Sequence, residues 1–323
     1  MIRTRIPDEI LAAAHARSRA RQARDWPEAD RLRGEIEAAG WRVVDRGTDF
    51  SLSPANPPDV LDDGHVRYGS SASVPSRLAE APVGVASVVV VATDYPGDLE
   101  RALSTLREHA PDGLQIVVVG NDPSDDQAAA LEALEALEPG EPGVRTEVVW
   151  TSARLGHATA LNAGIRRAEA PIVVLLDTSV ESTGDVVTPV VRALDDQTVA
   201  VAGGWGIRST DLRHFEEAPP GDVDAIEGYL QAFRRADYAE RGPLDEQFRF
   251  YRNLDIWWSL VLRDAGPDGQ HRRAVAVDVP AVRHEHRGYA SVPPDERDRL
   301  SKRNFYRIID RFRERRDLLV AAG

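Results

Sequence analysis

Three short stretches carry polar side chains at spacings that could support chemistry. In the first, RLGHATALNAGIRRAEAPIVVLLDTSVE from Arg154 to Glu181, a helix pattern opens at Gly156, carries Asn162 and Gly164, and leads into an apolar strand, Ile172 to Leu176, that ends on Asp177. A carboxylate at the carboxyl end of a buried strand lies where open α/β sheets bind ligands. In the second, GPLDEQFRFYRNLDIWWSLVLRDAG from Gly242 to Gly266, a turn with Asp245 precedes a helix that opens on Asn253-Leu254-Asp255, with Trp257 and Trp258 directly after. An aspartate in that position either caps a helix or takes a proton, depending on what faces it. One of the two tryptophans is expected in the core, and the other is free to stack on a ligand. In the third, VRHEHR, His284 and His286 alternate with Arg283 and Arg287. Arginine's forked donors suit a diphosphate, and the bland alternative is a surface salt network.

These residues need a scaffold, and the pattern from Val83 onward supplies one. Near-continuous Val/Ile runs at 85–92, 114–119, 146–150, 172–176 and 199–203 alternate with helical segments at 98–109, 125–137, 156–168 and 185–194. Such alternation specifies an α/β fold: a doubly wound, mostly parallel sheet covered by helices on both faces. The first strand ends in Thr93-Asp94-Tyr95 and the second in Gly120-Asn121-Asp122. Two adjacent strand ends bearing polar groups form a nucleotide pocket in a doubly wound sheet. There is no cysteine, which excludes disulfides, thiolate metal sites and cysteine nucleophiles. Gly-rich phosphate loops, HExxH and nucleophile elbows are also missing from the sequence.

In ordered motifs from about Val85 to Tyr289, the chain resembles the nucleotide-sugar glycosyltransferases of family 2. The resemblance implies a GT-A fold and inverting transfer of a sugar, hexosyltransferase-like, from a nucleoside-diphosphate sugar to an acceptor hydroxyl. Thr93, Asp94, Tyr95, Asn121, Arg154, Asn162 and Asp177 are then the donor-nucleotide contacts. Asp255 aligns with the general base. Arg283, Arg287, Trp257, Trp258 and Asp245 fall to the diphosphate or the acceptor. A divalent metal, Mg or Mn, is implied at Asp177 and His284. Ser179 stands where the family's second aspartate belongs, so Glu181 or His286 either completes the ligand set or the metal is held by fewer groups. The acceptor is open among glycan, lipid carrier, peptide and natural product. A non-catalytic nucleotide-sugar-binding protein and, further off, a sugar nucleotidyltransferase are the alternatives. The latter would carry a Gly-rich basic loop after the first strand, where Thr93-Asp94-Tyr95-Pro96 stands instead.

The remainder reads as attachments. Residues 1–53 pattern as two helices and a short strand, a helical hairpin unit. Within it, residues 15–50 resemble the small C-terminal module of cysteinyl-tRNA synthetases, whose reading is either an RNA or partner contact or a docking hairpin. Residues 54–84, rich in Pro, Ser, Gly and Asp, read as a linker. The transferase domain is expected over 85–290, and 291–323 as a separate C-terminal helix, Asp295 to Val320. A net charge of −13 argues against nucleic-acid binding. That charge is uneven: Arg283 to Asp317 holds eleven bases against seven acids, so this basic helix could meet an anionic membrane surface. A homodimer is left open. With no apolar leader or bilayer-length run visible, a cytoplasmic location is expected.

Overall fold

The N-terminal segment folds on itself. In the computed structural model, which describes residues 6–46, 49–62, 64–92, 94–136, 144–264 and 271–320, it comprises α1 (Asp8–Gln22), α2 (Trp26–Ala38), β1 (Trp41–Arg46) and β2 (Asp49–Pro54). Asp8 and Glu9 sit favourably in the first turn of α1, and Asp25 caps α2 by accepting the Glu28 amide. Where the sequence pattern gives one strand, two antiparallel strands form a hairpin. Ile10, Ala14, Ile36, Trp41 and Val43 make a small core of their own. Arg17, almost fully buried, ties α1 to β1 through Asp45 at 2.7 Å.

Next come β3 (Val60–Asp62) and β4 (His65–Tyr68), inside the stretch expected to be a linker. They are strands of the main sheet: β4 pairs in parallel with β7 (Val144–Thr151), and β3 pairs with β4. These strands are too short to show periodicity among the surrounding Pro, Ser and Gly residues, so the linker expectation is corrected here. The sheet is otherwise built from β5 (Ala86–Ala92), β6 (Leu114–Gly120), β7 and β8 (Ile172–Leu176), all parallel, joined by α3 (Pro96–Glu108), α4 (Asp125–Glu135) and α5 (His157–Ile165). Those strands are close to the expected ones because their apolar runs are buried on both faces.

Beyond β8 the chain is less regular. In order follow β9 (Val180–Ser182), α6 (Val187–Ala193), β10 (Val199–Gly203), β11 (Gly206–Ser209), β12 (Phe215–Ala218), β13 (Gly221–Val223), β14 (Ala225–Ile226), β15 (Leu230–Arg234), α7 (Arg235–Arg241), α8 (Leu254–Arg263), β16 (Arg273–Ala276), β17 (Ala281–Arg283), α9 (Arg287–Ala290) and α10 (Pro294–Phe312). β15 inserts antiparallel between β8 and β10, giving the ten-stranded order β13-β16-β10-β15-β8-β5-β6-β7-β4-β3. Five of its nine pairings are parallel.

The C-terminal helix is shorter than expected and is not separate. It ends at Phe312, and a 3-10 turn spans Arg316–Leu318. Ile308, Phe312 and Leu318 are buried in the main core, so its apolar stripe is satisfied by packing and its charges face outward. Among the described residues, no helix is long and apolar enough to cross a membrane.

Candidate functional site

The carboxyl ends of β5, β6 and β8 open into one cavity of about 400 Å³, closed on the far side by the start of α8 and by residues 286–292. Close packing aims α5 at it. A Cβ on Gly164 would stand 2.5 Å from Val89 Cγ1, so glycine lets α5 lie directly on the sheet. A Cβ on Gly156 would lie 2.9 Å from Arg249 Cα; without one, His157 and Ala158 donate their amides to the carbonyls of Arg249 and Phe248 at 3.0 and 3.1 Å. The start of α5 and the loop before α8 are thereby one unit.

Asp177 faces this cavity with 10% of its side chain exposed. Its Oδ1 accepts from the Ser179 amide at 2.8 Å and hydroxyl at 2.5 Å, and its Oδ2 lies 3.1 Å from His286 Nε2. Burial opposes ionisation, but the bonds from His286 and Ser179 outweigh it and hold the carboxyl below the usual range. Burial also works against a charged His286, yet Asp177 draws its pKa up. The better-aligned His284 is elsewhere: its Nε2 meets Glu181 at 2.6 Å, away from the cavity lining. Glu181 lies on β9, which pairs with β17 rather than following Asp177 into the cavity, and it also stands 4.0 Å from Arg101. The four expected metal ligands therefore form two separate pairs.

Asp255 lines the same cavity from the first turn of α8. Its Oδ2 accepts the Gly228 amide at 2.8 Å and its Oδ1 the Ile256 amide at 2.9 Å. Burial raises its pKa despite those bonds and the nearby Arg252 charge. A carboxylate poised in this way can take a proton from a hydroxyl.

Asp94, Tyr95, Asn121 and Arg154, expected as donor contacts, line the cavity but are already engaged. Asp94 accepts from Arg154 at 2.5 Å and from the Ser124 amide at 3.0 Å. Burial pulls against these bonds, and its carboxyl stays below the usual range. Asn121 spends its amide on the backbone of Leu155, accepting from N at 2.8 Å and donating to O at 3.1 Å. Tyr95 lies under the Arg287 guanidinium, 4.6 Å from its ring centre, and Arg287 bonds Asp98 at 2.7 Å. Thr93 lies outside the described residues.

Other expected contacts are structural. Asn162 is buried, donating to Leu244 O and Glu246 and accepting from Tyr238 Oη and Leu244 N. It fixes the turn after Gly242 and does not line the cavity. Trp257 and Trp258 are both buried, their rings 6.2 Å apart, so neither is free to stack on a ligand. Their places on a helix buried nearly all round decide this, which a two-residue motif does not reveal. Asp245 pairs with Arg307 at 3.3 Å, off the cavity. Arg283 is held by Glu217 and Glu227, each at 3.0 Å, over the rings of Trp205 and Tyr229.

Three groups at the cavity escape the sequence reading. Tyr251 has its ring centre 4.3 Å from that of His286, the two planes tilted by 49°. Burial, then the charges of Asp177 and Asp255, push its pKa well up, so the phenol stays protonated. His157 packs its ring 5.3 Å from Tyr251, and burial, reinforced by His286 and opposed by Asp177, pushes it down to about 4. Arg249 projects into the same space. His157 was findable in principle, since it directly follows Gly156 at the ligand-facing start of α5.

Among the described residues, no group of three His, Asp or Glu side chains forms a metal cage. Asp177 and His286 offer two ligands. That suits a divalent cation that takes its remaining ligands from phosphate and water.

The family model described as "Glycosyl transferase family 2" matches residues 87–251. Among solved structures, the chain is similar to GalNAc-T7, crystallised with UDP, GalNAc and Mn2+, at 15% identity and a TM-score of 0.55, over 73% of this chain and 49% of that one. It is also similar to the mannosyltransferase PcManGT from Pyrobaculum calidifontis, in complex with GDP-Man and Mn2+, at 20% identity and a TM-score of 0.53, over 76% and 71%. At these identities the likeness concerns the fold, which is GT-A. Two curated relatives are cysteine–tRNA ligases: that of Opitutus terrae, 50% identical over 50 residues, and that of Rubrobacter xylanophilus, 51% identical over 47. Those matches take in 16% and 15% of this chain and only 11% and 10% of the relatives' length.

Proposed function

Because the chain belongs to glycosyl transferase family 2, we propose that it moves a sugar from a nucleoside-diphosphate sugar to an acceptor hydroxyl with inversion at the anomeric carbon. One observation carries this reading: Asp255, with its raised pKa, and the Asp177–His286 pair line one cavity at the strand ends. The base and ribose lie over the ends of β5 and β6, beside Asp94, Tyr95 and Arg154. The diphosphate lies by Asp177 and His286, which would hold a divalent cation. The cation supplies charge neutralisation for the departing diphosphate, and the Mn2+ in both structural relatives supports its use.

Asp255 takes the proton of the acceptor hydroxyl as its oxygen bonds to the anomeric carbon. The bond from that carbon to the phosphate oxygen breaks on the opposite side, and the electron pair leaves with the nucleoside diphosphate. The neutral Tyr251 hydroxyl is a donor available in the same cavity, and apolar walls including Leu161, Leu176 and Leu254 limit water. The N-terminal hairpin, with its separate core, is an accessory unit rather than part of this machinery.

The test is direct: incubate the protein with UDP- and GDP-sugars and Mn2+, and follow release of the nucleoside diphosphate. Slow donor hydrolysis without an acceptor supports a transferase. Tight nucleotide binding with no turnover of any donor would identify a non-catalytic binder instead.

A further inference from the structure

Arginines at this end of the sheet are, with few exceptions, matched to a carboxylate. Arg101 has Asp98, Arg154 has Asp94, Arg283 has Glu217 and Glu227, Arg287 has Asp98, and Arg307 has Asp245. Three, one lining the cavity and two against a residue that lines it, differ. Arg249 lines it, while Arg252 and Arg297 place their guanidinium carbons 5.9 and 5.0 Å from the ring centre of Tyr289, which also lines it. Among the described residues, none of the three has an ion pair or a side-chain hydrogen bond. Asp255 and Glu227 feel the Arg252 charge only from a distance.

Two guanidinium groups brought to one ring repel each other, and a chain of net charge −13 had carboxylates to spare for direct pairing. The place is also informative. Arg252 precedes Asp255 by three residues, Arg297 comes from the start of α10, and both meet the ring of Tyr289, which shares the cavity with Asp255. Phe250 lies 5.9 Å from Tyr289 and adds an apolar surface beside the charges.

From this, and resting on the transferase reading above, we infer that Arg249, Arg252 and Arg297 form an acceptor subsite for an anionic group. The geometry and donor count suit a phosphate ester attached to an apolar or aromatic body. Tyr289 carries the body by stacking, the guanidinium groups neutralise the phosphate, and the acceptor hydroxyl is then presented to Asp255.

The experiment uses the full chain, with phenyl phosphate as probe and phenol as neutral control, titrated with and without saturating UDP or GDP. Phenyl phosphate should bind in both conditions and phenol should not. Arg252→Gln and Arg297→Gln should each weaken binding by about tenfold, as loss of one charge-assisted contact implies. Melting temperature and nucleotide binding report whether each variant is folded. Vesicles of phosphatidylglycerol form a second arm. Capture that both variants lose assigns the anion to a lipid headgroup, whereas binding of phenyl phosphate alone assigns it to a soluble acceptor. Equal binding by the unmodified protein and both folded variants overturns the subsite. So does displacement of phenyl phosphate by UDP or GDP, which would assign these arginines to the donor diphosphate. Failure of UDP and GDP to bind at all would overturn the donor reading, while the nucleotide-free titration still decides the anion site.

Discussion

Gly228 donates its amide to Asp255 Oδ2 at 2.8 Å, and so aims a half-buried carboxylate into the cavity from the first turn of α8. That bond and the Ile256 amide favour the ionised form, but burial dominates and leaves Asp255 with a raised pKa. Asp255→Asn keeps the size and cannot accept a proton. Transfer should fall by about a hundred- to ten-thousand-fold while donor affinity barely changes. Near-normal transfer by the folded variant would remove Asp255 as the base.

The same shift sets a pH dependence. Because the folded-state pKa lies above the unfolded one, the protonated group contributes stability below about pH 4, and that contribution is lost as pH rises through the folded value. The melting temperature of the unmodified protein, relative to Asp255→Asn, should therefore drop between about pH 4 and neutrality. The acid limb of kcat/KM should sit above the usual aspartate range. A melting difference that is flat across this window would mean that the carboxyl is not perturbed.

Metal dependence distinguishes the two acid–histidine pairs. At a nucleoside diphosphate concentration a hundred times its Kd, about 2.7 kcal/mol of stabilisation is expected. The chelator-sensitive part should vanish in Asp177→Asn and His286→Gln, and persist in Glu181→Gln and His284→Gln. The opposite pattern in thermal shifts with Mn2+ and EDTA would place the cation on the Glu181–His284 pair.

Asn162 illustrates how far a motif can mislead about contact. Its amide satisfies Leu244 N, Leu244 O and Tyr238 Oη inside the protein. Asn162→Ala leaves all three buried and unpaired, at about 1–3 kcal/mol each. Chemical denaturation should show a loss of roughly 3 kcal/mol or more, with nucleotide affinity little changed in the fraction that folds. A stable variant that has lost nucleotide binding would restore Asn162 to the donor site.

The strands from β5 to β8 were legible because each is an uninterrupted run buried on both faces, and Asp177 and Asp255 because each punctuates such a run or opens the helix after a turn. β3, β4 and β15 were not: at three to five residues, they owe their place to neighbours far away in the chain. That His286 rather than His284 reaches Asp177 has a similar origin. Alternation along an extended segment says which residues share a face, but β17 ends at Arg283 and α9 begins at Arg287, so the alternation stops between them. His286 instead caps α9 through the Tyr289 amide and turns its other nitrogen to Asp177.

The C-terminal helix offers the last test. Asn304, buried on α10, donates to Phe250 O at 2.9 Å and to Arg252 O at 2.8 Å, and Asn253 donates to Ser301 O at 3.0 Å. These bonds hold the loop that runs into Asp255, where Asn253 adopts a left-handed φ of 73°. Asparagine tolerates that conformation better than most residues, but the turn still needs outside support. Asn304→Ala removes the donor from two carbonyls, which should cost about 1–3 kcal/mol. Asp255 would then be less well placed, and small misplacements of catalytic groups are costly in rate. The expected signature is a lowered kcat with an unchanged donor KM and an acid limb still set by Asp255. Removing residues from Pro294 onward should do more and unfold the domain, because Ile308, Phe312 and Leu318 belong to its core. If Asn304→Ala folds and keeps its full kcat, α10 covers the core without positioning the base.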